Sequence, residues 1–285
     1  MASQVSRFPV NYALNLRGNL VSLDTPAIMA ILNVTPDSFY SGSRMQEESN
    51  LLQQAGQMLQ DGALLLDVGG YSSRPGAEHI SEEEERKRVT VAIKSLIKEF
   101  PEAYISVDTF RSEVARAAVG EGACLVNDIS GGELDSAMYS TVADLKVPYI
   151  LMHMKGTPQN MVKQANYDHL LKDIYGYFAH RVAQLNALGV VDIILDPGFG
   201  FAKTREQSYE VLRNLGYFKH IKLPVLAGIS RKSMIYKLLE ITPEEALNGT
   251  TALNMIALMN GASLLRVHDV KEAVETVTLF KTTYG

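Results

Sequence analysis

The chain has a single cysteine, Cys124, and no tryptophan among its 285 residues. One cysteine excludes a disulfide within the chain and a cysteine-built zinc cluster, and it fits a reducing compartment. No uncharged apolar run approaches the roughly 18 residues needed to span a bilayer. Residues 1–15 hold no apolar leader core. A cytoplasmic protein with no membrane partner is the expectation. Excess positive charge is also missing: 27 Lys and Arg stand against 32 Asp and Glu, a net charge of −5. That balance argues against a nucleic-acid partner while allowing a local basic pocket. Low-complexity linkers and internal repeats are absent. Hydrophobic residues make up 46% and charged residues 21%, which is globular composition and excludes a disordered chain.

Residues 12–23 read as a small hairpin, with apolar Leu14, Leu16, Leu20 and Val21 around an Arg17-Gly18-Asn19 turn. A rhythm follows. Short apolar runs at 27–32, 63–68, 104–107, 123–126, 148–152, 192–195, 224–229 and 263–267 alternate with helix-like segments. Each run is apolar on both faces, as strands covered on both sides are. Among the helical signals, Ser81 and Glu84 form a capping box. Glu82, Glu83 and Glu84 are spaced to pair with Arg86, Lys87 and Arg88 along a solvated face. Leu170, Ile174, Tyr177, Phe178, Val182, Leu185 and Leu188 recur at helical spacing before Gly189. Thr242, Pro243 and Glu245 predict another helix start. Eight strands alternating with helices leave a closed (β/α)₈ barrel or an open doubly wound sheet. The length and the lack of G-x-G-x-x-G after the first strand favour the α/β TIM barrel with a short N-terminal β-hairpin.

Polar residues close every apolar run. In order they are Asn33, Asp67, Asp108, Asn127-Asp128, His153, Asp196, Ser230-Arg231-Lys232, and Arg266 with His268. In a barrel these ends converge on one rim. Asp67 and Asp128 are the members best suited to structural roles. Loops 33–39, 71–76 and 196–201 mix glycine, proline, hydroxyls and aromatic rings, as substrate-covering loops do. Arg231 and Lys232 sit beside a helix N-terminus, which suits an anion or an electron-rich heterocycle. Carboxylates can accept paired N–H groups of a purine- or pterin-like ring, Asn127 can read its edge, and Lys232 can donate to it. Arg266 and His268 can hold a phosphate, and Asn33 can offer one oxygen to Mg²⁺. The composite target is a flat polar heterocycle carrying a phosphate or diphosphate. No Ser–His–Asp arrangement or three-histidine metal set is evident.

Seven stretches, in order along residues 27–280, resemble the dihydropteroate synthase family. They are Leu32-Asn33-Val34-Thr35-Pro36-Asp37-Ser38-Phe39; Asp67-Val68-Gly69-Gly70 with Ser72-Ser73-Arg74-Pro75-Gly76; Ser106-Val107-Asp108-Thr109; Val126-Asn127-Asp128-Ile129-Ser130-Gly131-Gly132; Asp196-Pro197-Gly198-Phe199-Gly200-Phe201; Ser230-Arg231-Lys232-Ser233; and Arg266-Val267-His268-Asp269. The resemblance implies one domain over 1–285, with a hairpin at 12–23 and a pterin-binding barrel over 27–280. It implies a transferase, usually dimeric, that joins p-aminobenzoate to a dihydropterin methyl diphosphate and releases diphosphate.

Carried over residue by residue, Asp108, Asn127, Ile129, Met152, Asp196, Phe201 and Lys232 bind the pterin. Asn33, Arg266 and His268 hold the diphosphate, with Asn33 at the Mg²⁺. Ser73, Arg74, Pro75 and Ser230 frame the p-aminobenzoate site. Catalysis falls to Asp108, Lys232, Arg266 and Asp37. The chain departs from the family pattern at Ser41, where many members have an acid, leaving Asp37 as the nearby carboxylate. It departs again at Tyr71 and Ser73, where many have Glu and Thr. A corrinoid-type methyltransferase domain and an inactive pterin-binding scaffold are the competing readings. Arg74-Pro75 with Ser230-Arg231-Lys232 argues against the first, and the intact polar set argues against the second. Of the remaining residues, Cys124 reads as core and His79, His169, His180 and His220 as surface. His153 reads either as a ligand contact or as packing. Met255, Leu258 and Met259 read as core or dimer interface.

Overall fold

The computed structural model describes residues 12–34, 44–72, 79–157 and 161–284. Strands β1 (Ala13–Leu16) and β2 (Asn19–Ser22) pair antiparallel as the expected hairpin. Arg17 and Gly18 both take positive φ, 54° and 82°, the twist that tight hairpin turns require.

Eight parallel strands follow: β3 (Ala27–Asn33), β4 (Leu65–Gly69), β5 (Tyr104–Asp108), β6 (Leu125–Asp128), β7 (Tyr149–Met152), β8 (Ile193–Asp196), β9 (Leu226–Ala227) and β10 (Leu264–Val267). They bond in the order β8-β7-β6-β5-β4-β3-β10-β9. A parallel bridge between Leu195 and Val225 links β8 to the stem of β9 and closes the ring. The helices are α1 (Arg44–Gln60), α2 (Glu82–Glu99), α3 (Ser112–Gly120), α4 (Met138–Leu145), α5 (Leu170–Ala187), α6 (Arg205–Arg213), α7 (Ser233–Leu239), α8 (Leu247–Met259) and α9 (Val270–Tyr284). The chain therefore folds as the expected (β/α)₈ barrel with its hairpin. None of the described helices is long and apolar enough to cross a membrane.

Three local expectations change. The run at 224–229 yields only the two-residue β9, because Pro224 has no N–H to donate and Gly228 has no side chain to pack. The helix expected from Thr242 begins at Leu247; Glu245 Oε2 accepts from the Thr242 N–H at 2.9 Å and closes a separate turn ahead of it. The acidic run at α2 is not wholly solvated. Ser81 caps it as expected, accepting from Glu84 N–H at 3.2 Å, and Arg88 pairs with Glu84 at 2.8 Å. Glu85 is fully buried and pairs with Arg111 at 2.7 Å.

Strand alternation sorts the core into two layers. Outward residues such as Leu66, Val68, Ile105, Val107, Val126 and Leu195 pack against the helices. Inward residues Met29, Leu65, Leu125, Ile150, Ile194, Leu226 and Leu264 meet Leu14, Leu16 and Leu23 of the hairpin segment, which plugs the N-terminal end. Cys124 joins this inner layer, free and buried as expected.

Candidate active site

The same alternation assembles the opposite mouth. Strand register places Asn33 beside Gly69, Gly69 beside Asp108, and Asp108 beside Asn127. Met152 lies beside Asp196, and Arg266 beside Met29. Counting in twos from the buried inner layer, Asn33, Asp67, Asp108, Asn127, Met152, Asp196 and Arg266 all point into the barrel. Asp128 falls on the other parity. It leaves the barrel interior and accepts from Tyr149 OH (2.7 Å), Ser130 N–H (2.7 Å) and Gly132 N–H (2.8 Å), a structural role as expected.

The floor is an ion network. The Arg266 guanidinium donates through Nε to Asp67 Oδ2 and through Nη2 to Asp108 Oδ2, both at 2.6 Å. Asn127 Nδ2 donates to the same Asp67 oxygen at 2.9 Å, which fixes the amide orientation and turns its carbonyl to the other side as an acceptor. Asp67 thus leaves its expected structural role and joins the site. Alternation on β4, with Asp67 between inward Leu65 and Gly69, is the signal that identifies it. Burial pushes the Asp108 carboxyl up to about 7, aided by the nearby Asp67 charge and opposed by Arg266. Arg266 is held more firmly protonated than usual: burial disfavours its charge, but Asp67 and Asp108 outweigh that cost.

On the far side, Asp196 Oδ1 accepts from Gly198 N–H at 2.7 Å. Burial raises its carboxyl, against the lowering charge of Lys232. Lys232 donates to Phe199 O at 2.6 Å and lies 4.7 Å from the centre of the Phe201 ring. Burial lowers its ammonium to about 8, against the pull of Asp196. Ile129, Met152, Met154, Met161 and Ala202 form a separate apolar cluster, with Phe110, Leu134 and Phe201 packed on it. The mouth therefore offers one greasy wall and an edge of alternating acids and bases, suited to a flat heterocycle with N–H and acceptor groups on its rim. Ser230 Oγ lies 3.0 Å from His268 Nδ1 and accepts from the His268 N–H at 3.2 Å, so both expected residues meet at the β9 and β10 ends.

Arg231 corrects the expectation of two cations at this mouth. It turns to Asp269 (2.9 and 2.7 Å) and to the carbonyls of Pro243 and Glu244, leaving Lys232 to face the site. His153 is packing rather than exposed rim: it is 2% accessible, with Nδ1 2.9 Å from Lys203 Nζ. The residues Asp37, Ser41, Ser73, Arg74 and Pro75 lie outside the described residues. Among the described residues, no group of three or more His, Cys, Asp or Glu side chains could hold a metal by itself. Asn33 does supply a hard oxygen near Asp108: Asn33 Oδ1 and Asp108 Oδ2 both lie within 4 Å of the point where a Gly69 Cβ would stand. A single such oxygen fits Mg²⁺ completed by phosphate and water. Two further site features went unread in the sequence: Lys203, and the buried Glu85–Arg111 pair, to which Thr109 adds a 2.6 Å bond.

The family described as pterin binding enzyme matches residues 29–268. The chain is 40% identical over 269 residues to the dihydropteroate synthase of Escherichia coli (strain K12), covering 94% of this chain and 95% of that protein. The Yersinia pestis dihydropteroate synthase in a sulfonamide drug complex superposes with a TM-score of 0.89 at 40% identity, over 95% of this chain and 99% of that one. The Xanthomonas albilineans dihydropteroate synthase with 4-aminobenzoic acid superposes with a TM-score of 0.88 at 36% identity, over 96% and 98% respectively.

Proposed function

The chain belongs to the pterin-binding enzymes, among the dihydropteroate synthases, and on that premise we propose that it condenses 6-hydroxymethyl-7,8-dihydropterin diphosphate with p-aminobenzoate, releasing diphosphate. The observation that carries this reading is the convergence of Asp108, Asn127, Asp196, Lys232 and Arg266 on one barrel mouth above an apolar wall. Asp196 and Asp108 accept pterin N–H groups, the Asn127 carbonyl accepts another, and Lys232 donates to the ring. Ile129, Met152 and Phe201 sandwich the plane. Arg266, His268 and Asn33 face the diphosphate, and Ser230 faces p-aminobenzoate together with Ser73, Arg74 and Pro75.

No nucleophile from the protein is needed. The methylene C–O bond breaks and its electron pair leaves with diphosphate, whose charge Arg266 and His268 neutralise. The residual methylene cation is conjugated with the pterin ring, and Asp108, Asp196 and Asp37 stabilise it electrostatically. The arylamine lone pair then forms the C–N bond, and the amine loses its proton. Asn33 would hold Mg²⁺ through its side-chain oxygen, and the ion would add to the neutralisation of the diphosphate that Arg266 and His268 provide. The substitution is SN1-like, with catalysis resting on positioning and electrostatics. A secondary deuterium isotope effect clearly above unity at the methylene is the expected result; a value near unity refutes the ionisation step.

A coupled diphosphate-release assay tests the whole reading. Release that requires both p-aminobenzoate and Mg²⁺ supports it; pterin binding without release defeats it. We also propose that the enzyme acts in the cytoplasm as a homodimer. Five of the ten exposed large apolar residues among the described residues, Leu238, Leu239, Ile256, Met259 and Leu279, fall on α7, α8 and α9, three helices packed in succession.

A further inference from the structure

Lys203 ends the loop that begins at Asp196, and it is only 8% accessible. Its Nζ lies 2.9 Å from His153 Nδ1 and donates to Phe201 O at 3.1 Å and Gly198 O at 3.2 Å, with His153 O at 3.4 Å. The loop curls around this single cation through left-handed residues, Gly198 (φ 70°), Gly200 (φ 78°) and Ala202 (φ 46°). Ala202 tolerates that conformation poorly on its own. Three carbonyls of two neighbouring loops turned onto one buried ammonium supply what holds it. The segment so tied carries Asp196, the Phe201 ring and the Phe199 carbonyl that receives Lys232.

We propose that Lys203 is a positioning residue for this reaction: it ties residues 196–203 to the end of β7 and, as a cation behind the site, keeps Asp196 ionised to receive the dihydropterin. This rests on the reading of Asp196 as a pterin acceptor. The charged groups facing Asp196 are Lys232 at the start of α7, Arg266 on β10 and Lys203 itself. Those facing Lys203 are Asp196, Lys232, and Lys155 with His153 from the loop after β7. Burial raises the Asp196 carboxyl, so each neighbouring cation counts. Burial also lowers the Lys203 ammonium to about 7, against the pull of Asp196. Lys203 is thus charged mainly below neutrality, where Asp196 most needs support. As pH rises through the Lys203 midpoint that cation loses its charge, and the electrostatic support for Asp196 goes with it.

The sign of the test follows. Without Lys203 the Asp196 carboxyl rises further, and dihydropterin binding is lost at a higher pH on acidification. Calorimetric affinity for 6-hydroxymethyl-7,8-dihydropterin diphosphate is compared in the full-length wild type and Lys203→Met. The variant is expected to bind about ten-fold more weakly at about pH 5.5, with the gap closing to about three-fold at about pH 8.5. A gap that does not change with pH marks a merely structural role and overturns the proposal, as does no gap at all. A wild type that binds no dihydropterin overturns the functional reading itself, and this inference with it.

Should Lys203→Met not fold, the reciprocal measurement decides. In Asp196→Asn the negative charge beside Lys203 is gone. The Lys203 titration midpoint, followed by ¹³Cε NMR and assigned through its contacts with the His153 ring, is expected to fall by about half a pH unit or more. An unchanged midpoint overturns the proposal.

Discussion

Replacing Asp67 by asparagine separates charge from shape at the floor of the site. Asp67 Oδ2 receives both Arg266 Nε and Asn127 Nδ2, while Oδ1 is buried with no partner among the described residues. An asparagine can put its carbonyl at the shared position and its amide at the orphan position, so the geometry survives and only the charge goes. At an effective dielectric near 20, a pair about 4 Å apart contributes roughly 4 kcal/mol, which Asp67 loses with Arg266. Asp67 and Asp108 grip different nitrogens of one guanidinium, so their carboxylates lie about 5 Å apart and repel by roughly 3 kcal/mol when both are ionised. Relief of that repulsion, and of the burial cost of the Asp67 charge, offsets most of the loss.

Stability should therefore fall by at most about 1 kcal/mol, or roughly 2–4 °C in melting temperature. The larger effect is on Asp108, whose carboxyl the Asp67 charge helps raise to about 7. Removing a repulsion of roughly 3 kcal/mol lowers that midpoint by up to about two units. In our reading the ionised Asp108 binds the pterin, so activity is lost as pH falls through its midpoint. The acid limb of kcat/KM, which reports the free enzyme, should accordingly move to lower pH by about one unit or more in Asp67→Asn. A limb that stays in place, or moves upward, refutes the network as the origin of the Asp108 shift.

Other perturbations read other parts of the molecule. A Cβ on Gly198 would meet His153 O at 2.3 Å, and its φ of 70° disfavours a side chain. Gly198→Ala is expected to weaken dihydropterin affinity by about ten-fold or more by displacing the loop that holds Asp196; calorimetry showing wild-type affinity contradicts the assignment of that loop. Leu16 is fully buried in the plug beneath the barrel. Leu16→Ala should cost about 2–5 kcal/mol in denaturant melts while leaving KM for both substrates unchanged, and altered KM values would show that the plug reaches the mouth. Introducing glutamates at Met259 and Leu279 should shift sedimentation at micromolar protein from dimer to monomer, and an unmoved boundary would place the interface elsewhere.

The barrel was legible because its signal is periodic. Eight two-sided apolar runs alternating with helices leave a barrel or a doubly wound sheet, and all eight are strands that close into the barrel. The convergence of Asn33, Asp108, Asn127, Asp196 and Arg266 on one mouth was legible for the same reason, since each lies at or near the end of a run and in step with the inward face, whereas Asp67 was read as structural. What escaped is set by three-dimensional partnership. Arg231 and Lys232 are adjacent, and composition treats them alike. The backbone sends one to Asp269 and the Pro243 and Glu244 carbonyls and the other to Phe199 O, a choice fixed by residues 12 or more positions away. Lys203 looks like an ordinary loop lysine until His153, about fifty residues earlier, is found beside it. Glu85 sits in a run of four glutamates at α2, and only the arrival of Arg111 and Thr109 distinguishes the buried one.

These cases share a cause. Burying a charge is tolerated only when a partner arrives with it, and such partners come from other βα units. Pattern along the chain can show that a position faces inward, but not which opposite charge waits there. The polar mouth is therefore the part of the molecule where single-residue reasoning is weakest. It is also where charge reversal or neutralisation at one residue should be felt at another, as the coupled behaviour expected of Asp67 with Asp108, and of Lys203 with Asp196, puts to the test.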